Sequence, residues 1–288
     1  MKPARFDYYV PRSLEKAIGL FARFGADAKA LAGGQSLMPL LNMRLARPRV
    51  LVDLNKVTKL AYVREEDGVI AVGAMARQSE VESSAKVEKL CPLLTEAVRL
   101  IAHPAIRNRG TIGGSISHSD PAAELPAVLS ALKGKIMIRG PRGQREATPE
   151  KFFLTHLTSS LEPDELVTEV RFPVLPQGAG WAFEEVARRH GDFAIVGVAA
   201  YLTLESGKIS DVQLALTGVA GVPVRAEAAR PVLLGSEPTK EAFRAAADKV
   251  RQSIDPESDL HASKEYRRHL AGVLTVRALE RAASRAKT

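Results

Sequence analysis

Two short glycine segments constrain this 288-residue chain more than anything else in it: Ala32-Gly33-Gly34-Gln35-Ser36 and Thr111-Ile112-Gly113-Gly114-Ser115. Each sets consecutive glycines just after an apolar stretch and ends in a small hydroxyl residue. Without Cβ atoms a chain turns tightly, accepts positive φ and brings backbone N–H groups close to anionic oxygens, while the serine or threonine hydroxyl adds a donor. That chemistry suits a diphosphate. Glycine pairs also mark hairpin turns and helix ends, so one such segment says little. Two of them, in a chain without a strand-GxGxxG-helix unit, point to a dinucleotide held between two loops rather than on a single Rossmann turn.

Composition narrows the function classes. With 45% hydrophobic and 26% charged residues the chain is of ordinary globular make-up, long enough for two domains. No apolar run reaches the length of a membrane span, and Met1 to Phe6 lacks the apolar core of a signal peptide, so a cytoplasmic location is expected. The single cysteine, Cys91, precedes a proline at a helix start and reads as buried filler; alone, it excludes an intrachain disulfide framework and an iron–sulfur cluster held by this chain's own thiolates. The six histidines show no metal-ligand spacing. Electrons passing through such a chain need an organic carrier. The net charge of +8 is spread along the sequence rather than gathered in a tract interleaved with aromatics, which argues against nucleic acid and suits an acidic partner or an anionic cofactor.

The pattern of residues predicts an α+β fold. Leu14, Ala17, Ile18 and Phe21 recur at helical spacing after Ser13 as N-cap, with Gly25 as the stop. Ala28 to Ala32 reads as a short strand entering the first glycine segment. Ser36 then caps a helix running through Leu41 and Leu45 to Pro48, and Val50 to Leu54 reads as a buried strand, which completes a small βαβ unit over residues 1–60 whose helix start faces the first loop. A second subdomain over 61–175 has strands separated by helices, among them Leu93 to Ile101. In it the second glycine loop precedes a helix that Asp120 caps with Pro121 at its first position. Leu166, Thr168, Val170 and Phe172 alternate as in a half-exposed strand. Val174 to Gly180 has linker composition and marks a boundary, after which 176–288 is predicted to hold strands around Ala194 to Leu204 and Val212 to Val219 and two amphipathic helices beginning near Thr239 and Asp259.

The stretches LAGGQSLMPLLNMRLARPRVLVDLN and IRNRGTIGGSISHSDPAAELPAVL resemble the FAD-binding medium subunit of the molybdenum hydroxylases of the carbon monoxide dehydrogenase and xanthine dehydrogenase type. The resemblance runs from near the N-terminus to about Phe193, with a looser fit in the C-terminal third. It implies a two-part FAD-binding domain like that of vanillyl-alcohol oxidase and other PCMH-type flavoproteins over 1–175, and a C-terminal α+β domain with a small antiparallel sheet over 176–288. It also implies that Ala32, Gly33, Gly34, Gln35 and Ser36 together with Thr111, Ile112, Gly113, Gly114 and Ser115 hold the FAD diphosphate. By the same likeness Glu124 sits near the adenosine part, Ile101 and Leu161 line the cofactor site, and Phe193 covers one face of the isoalloxazine ring. Ile101, Leu161 and Phe193 suit plain core packing as well. Glu185 stands where relatives carry a lysine, which leaves the tuning of the flavin open.

His103 and His118 bracket the second segment; histidines beside a loop are more often scaffold than catalyst. With no convergent acid–base set and no metal cluster in sequence, no catalytic and no metal-ligating residue is assigned. The resemblance therefore implies an electron-transfer subunit whose FAD takes electrons from iron–sulfur clusters on a small partner, which receives them from a molybdenum cofactor on a large molybdopterin-binding partner, in a dimer of heterotrimers. A self-sufficient FAD-dependent oxidoreductase of the same fold superfamily and a cofactor-free interaction module are the competing readings.

Overall fold

The computed structural model describes residues 2–287, and they form the expected α+β fold, built on three principal sheets. In the first, Val50–Asp53 lies between Asp7–Tyr9 and Ala28–Leu31, all parallel. Val50, Leu51 and Val52 are all buried, as expected for a parallel strand covered on both faces. The helix Leu14–Phe24 packs Ala17, Ile18 and Phe21 against this sheet; Ser13 caps it by accepting from the Lys16 N–H at 3.3 Å, and Gly25 ends it. The helix after the first glycine segment is shorter than the sequence suggests. It spans Leu37–Asn42 and closes with Arg44 at φ 59°, where the Arg44 and Leu45 N–H groups turn back to the carbonyls of Leu41 and Leu40. Leu45, 72% exposed, has no face to bury, so nothing extends the helix to Pro48.

The second sheet is antiparallel, in the order Val63–Glu66, Val69–Gly73, Leu166–Pro173, Lys135–Gly140 and Gly143–Ala147. A bulge at Thr168 resets the expected alternation, so that Val167, Val170 and Phe172 share the core. Between its Val69–Gly73 and Lys135–Gly140 strands the chain makes a run of helices that includes Pro92–Leu100, and that run carries the second glycine segment. Cys91 is fully buried among them, and burial pushes its thiol up to about 12.

The third sheet is antiparallel: Gly180–Ala187, Ala194–Glu205, Lys208–Thr217 and Val224–Arg225. The first of these strands is not evident in the sequence. Helices Lys240–Ser253 and Lys264–Arg285, capped by Thr239 and Ser263, cover one face. The second begins later than expected, because Asp259 accepts from the N–H groups of His261 and Ala262 in a turn instead of capping it. No helix among the described residues is long and apolar enough to cross a membrane.

Candidate functional site

The two glycine segments, about 80 residues apart in sequence, meet in space. A Cβ on Gly33 would run into the Arg109 carbonyl oxygen and lie 2.8 Å from Gly110 Cα; one on Gly114 would lie 3.6 Å from Ala32 Cβ. Gly113 abuts Ala74, whose Cα would be 2.7 Å from an added Cβ. Only Gly34 of these glycines has a positive φ, 74°. Close approach of backbones, not turn conformation, is therefore what demands glycine at Gly33 and Gly113, whereas at Gly114 an added Cβ would lie 2.6 Å from the capping Thr111 hydroxyl oxygen; this corrects the reading of both segments as tight loops.

The second segment is the first turn of a helix, Ile112–His118, rather than a loop before one. Thr111 caps it, its hydroxyl accepting from the Gly114 N–H at 3.1 Å. The N–H groups of Ile112 and Gly113 donate to the carbonyls of Ala76 and Ala74, and that of Ser115 to Thr111. These donors are already engaged. In the first segment the opposite holds: the backbone N–H groups of Gly33, Gly34, Gln35 and Ser36 donate to no partner among the described residues, although Gly33 is buried. Ser36 sits at the N-cap position of the next helix, but its hydroxyl makes no capping bond, contrary to expectation. A run of unpaired N–H groups with a free hydroxyl, on a backbone that bears no obstructing side chain at Gly33 and Gly34, fits an anionic diphosphate.

Polar side chains from the parallel sheet hold the segments in register. Asp53, at the end of the central strand, accepts from the Asn55 N–H at 2.8 Å, from Asn55 Nδ2 at 2.5 Å and from the Tyr8 hydroxyl. Burial pushes the Asp53 carboxyl up, but Tyr8, the Asn55 donors and the charge of Arg109 outweigh it and the net displacement is downward. Asn55 Nδ2 also donates to the Ala32 carbonyl at 3.1 Å, and Asn55 Oδ1 accepts from Arg77 at 2.6 Å. Arg77 reaches the Arg109 carbonyl as well, and its backbone bridges Thr111. None of Tyr8, Asp53, Asn55 and Arg77 stands out by glycine content or helical spacing; the Asp-x-Asn pattern directly after an apolar strand is the one available signal, that of an Asx turn.

Behind the second segment, Arg107 is buried and forks onto Glu82 at 2.7 and 3.0 Å while donating to the Ile101 and Ala102 carbonyls at 2.9 and 3.3 Å. It fixes the turn that delivers Arg109 and Gly110. Arg107→Ala should cost about 3 to 5 kcal/mol, since it leaves Glu82 and two carbonyls without their donor. Urea unfolding checks this; a loss below about 1 kcal/mol would show the pair to be dispensable.

Glu124 is only 3% exposed, at the first turn of Glu124–Ala131. That helix starts later than expected because Asp120 caps only a turn, accepting from Ala122 N–H at 2.9 Å, while Thr217 and Gly218 hold the carbonyls of Pro121 and Ala123. Thr217, Gly197 and Glu185 are paired across neighbouring strands, and Glu185 Oε2 is buried without a partner. Burial, then the nearby Glu185 and Asp120, push the Glu124 carboxyl up to about 8; burial alone pushes Glu185 up to about 7.

The remaining candidates are dispersed. Ile101 is in the core beside Arg107, and Ile112 is buried under the second segment. Leu161 packs on the core near the Thr158–Ser159 strand, whose preceding Leu157 N–H donates to Ser119 at 3.2 Å. Phe193 is 55% exposed, so it does not pack in the core. Its loop leans on the second segment's approach, with the Gly191 Cβ position 2.7 Å from His103 Cε1 and the His103 and His190 ring centroids 6.1 Å apart. The hydrogen bonds and close contacts gather the two glycine segments only; Leu161 and Phe193 stand outside that set. His118 is half-buried, and burial pushes its imidazole down. Among the described residues no group of three or more His, Cys, Asp or Glu side chains is placed to hold a metal ion.

Comparison with known proteins agrees along the whole chain. Residues 4–175 match the FAD binding domain in molybdopterin dehydrogenase, and residues 181–282 match the CO dehydrogenase flavoprotein C-terminal domain. The 6-hydroxypseudooxynicotine dehydrogenase complex subunit alpha of Paenarthrobacter nicotinovorans is 44% identical over 100% of this chain and 97% of its own. The carbon monoxide dehydrogenase medium chain of Hydrogenophaga pseudoflava is 40% identical over 99% of both chains. A solved structure of the carbon monoxide dehydrogenase of that organism, lacking the Mo-pyranopterin moiety of its cofactor, contains a chain that superimposes with a TM-score of 0.97, at 41% identity and full coverage of both chains.

Proposed function

The chain belongs to the FAD-binding medium subunits of the molybdenum hydroxylases, the family of the carbon monoxide dehydrogenase medium chain, and from that membership we propose that its two glycine segments jointly hold the FAD diphosphate. The chain is an FAD-binding oxidoreductase subunit of a multi-subunit dehydrogenase, which fits the electron-transfer reading and not the self-sufficient flavoenzyme. The observation that carries the site assignment is the run of unpaired N–H groups from Gly33 to Ser36, seated on a second segment whose own donors are engaged.

In this reading the division of labour between the segments is unequal. Gly33, Gly34, Gln35 and Ser36 supply donors, with Ala32 leading the chain into them. Thr111, Ile112, Gly113 and Gly114 supply a rigid floor, and Ser115 adds a hydroxyl. Ile101 and Leu161 offer apolar lining, and Phe193, exposed on its loop, is free to lie over a ring face by offset stacking. Glu124 addresses the adenosine part, as a neutral hydrogen-bond donor near pH 7, because burial keeps its proton on. FAD, when bound, would take electrons one at a time and release them singly or as a pair, which suits a relay from one-electron iron–sulfur clusters to a final acceptor. This chain's part is to hold it and to exclude water; it assigns no group to substrate chemistry.

The partners follow the same proposal: a small iron–sulfur subunit and a large molybdopterin-binding subunit, in a dimer of heterotrimers in the cytoplasm. The two matched regions, ending at 175 and beginning at 181, support a division into an FAD domain over 1–175, itself split near residue 60, and a C-terminal domain over 176–288. Relatives this similar are named for carbon monoxide and for 6-hydroxypseudooxynicotine, so substrate choice belongs to another subunit. Native affinity purification with flavin, iron and molybdenum analysis tests the whole reading. One FAD per chain, with iron and molybdenum chains copurifying, is expected. A lone flavoprotein oxidising a metabolite at ordinary enzymatic rates would overturn it.

A further inference from the structure

We propose that Arg77 is a positioning residue for the flavin, its guanidinium fork setting the separation of the two glycine segments and so the aim of the N–H groups from Gly33 to Ser36. The inference rests on reading those segments as the diphosphate cradle. One arm of the fork donates to Asn55 Oδ1 at 2.6 Å and the other to the Arg109 carbonyl. Asn55 passes the connection on, donating to the Ala32 carbonyl at 3.1 Å. The carbonyl just before Gly33 and the carbonyl just before Gly110 are thus tied together through two side chains. No other pair of side chains among the described residues links the segments by hydrogen bonds.

Both ends of this clamp are themselves fixed. The Asn55 amide cannot rotate without losing Asp53, which the Tyr8 hydroxyl holds in turn. The Arg77 backbone pairs with Thr111, and its N–H donates to the Glu80 carboxylate at 2.7 Å. A side chain locked at its root and at both tips transmits position rather than merely filling space. The arrangement also carries an electrostatic load. Arg77 is half-buried, and burial together with the nearby Arg109 pulls its guanidinium down. Glu80 and Asp53 offset part of that pull, and a guanidinium stays protonated in a protein, so the fork keeps its charge beside the cradle.

The test uses the full chain stripped of flavin and titrated with FAD, with affinity from flavin fluorescence and rates from stopped flow. Arg77→Ala should weaken binding roughly 10- to 100-fold, mostly through faster dissociation, with the far-ultraviolet circular dichroism unchanged. Arg77→Lys should fare little better, because an ammonium reaches one acceptor and not both. Added guanidinium at millimolar concentration should restore part of the affinity of Arg77→Ala and none of that of Arg77→Lys. Combining Asn55→Ala with Arg77→Ala should weaken binding by no more than about twofold beyond the worse single variant, because the two act as one connection. Unchanged affinity in Arg77→Ala, while Gly33→Val loses FAD, would overturn the clamp and leave the cradle standing. Loss without guanidinium rescue, or with additive Asn55 and Arg77 effects, would reduce Arg77 to a structural residue and overturn it too. If Arg77→Ala and Gly33→Val both keep the flavin, the cradle reading itself fails.

Discussion

Gly33→Val is expected to leave a chain that no longer retains FAD, with affinity down by roughly 100-fold or more and stability lower by about 2 to 4 kcal/mol. The added Cβ would meet the Arg109 carbonyl, the Arg109 carbonyl carbon at 2.9 Å and Gly110 Cα at 2.8 Å, all of them backbone. Those atoms cannot retreat. The Gly110 N–H is bonded to the Ile106 carbonyl at 2.7 Å, the Gly110 carbonyl takes the Gln78 N–H at 2.9 Å, and Arg77 holds the Arg109 carbonyl. The first segment must move instead, and it carries the unpaired donors with it. Fluorescence titration of FAD beside thermal unfolding by circular dichroism separates the two losses. Gly33→Ala should already lose affinity, because the obstruction lies at Cβ itself. Retention of wild-type affinity in Gly33→Val would show that the contact between the segments does not shape the flavin site.

Why these glycines are needed could not be read from sequence, although their importance could. The paired segments, the small hydroxyls at their ends and their resemblance to a flavoprotein family are all local features. Close approach is not: Gly33 is glycine because of Arg109 and Gly110, and Gly113 because of Ala74. Sequence alone offers positive φ as the default reason for a glycine, and here that holds at Gly34 only. The clamp was hidden for the same reason, since Asn55, Arg77 and Arg109 lie on three separate elements and gain meaning only when the sheets place them together. Long periodic elements such as Leu14–Phe24 and Pro92–Leu100 were legible because their caps and apolar stripes are written in consecutive residues. The Gly180–Ala187 strand was not, because its exposed and buried positions do not alternate: Ala182 and Phe183 are buried side by side. Asp7–Tyr9, three residues at a sheet edge, has too little pattern to announce itself.

The protein without flavin is expected to lose stability as pH rises from 6 to 8, by about 3 kcal/mol, and Glu124→Gln should remove most of that slope. Nothing in the sequence around Glu124 announces burial, but the third sheet covers it to 3% exposure and sets Glu185 nearby. Burial, Glu185 and Asp120 together hold its proton on up to about 8, whereas the unfolded chain releases it near the model-peptide value of 4.5. The sign follows from that order. A carboxyl raised by folding favours the native state fully below its unfolded value and ceases to do so as pH climbs through its folded one, so the loss falls between about 4.5 and 8. Glu185, raised to about 7, adds to the lower part of that window. His118, the other displaced group nearby, shifts downward and is neutral across most of it. For a chain of this size the effect corresponds to a midpoint lower by roughly 6 °C at pH 8 than at pH 6. Glu185→Lys should flatten the curve by a different route, since an ammonium beside Glu124 would let it ionise in place. Thermal unfolding of the flavin-free chain at pH 6, 7 and 8 decides the matter: equal midpoints across that range in the wild type, or an unaltered slope in Glu124→Gln, would mean that water reaches this carboxyl and that it titrates as an ordinary surface acid.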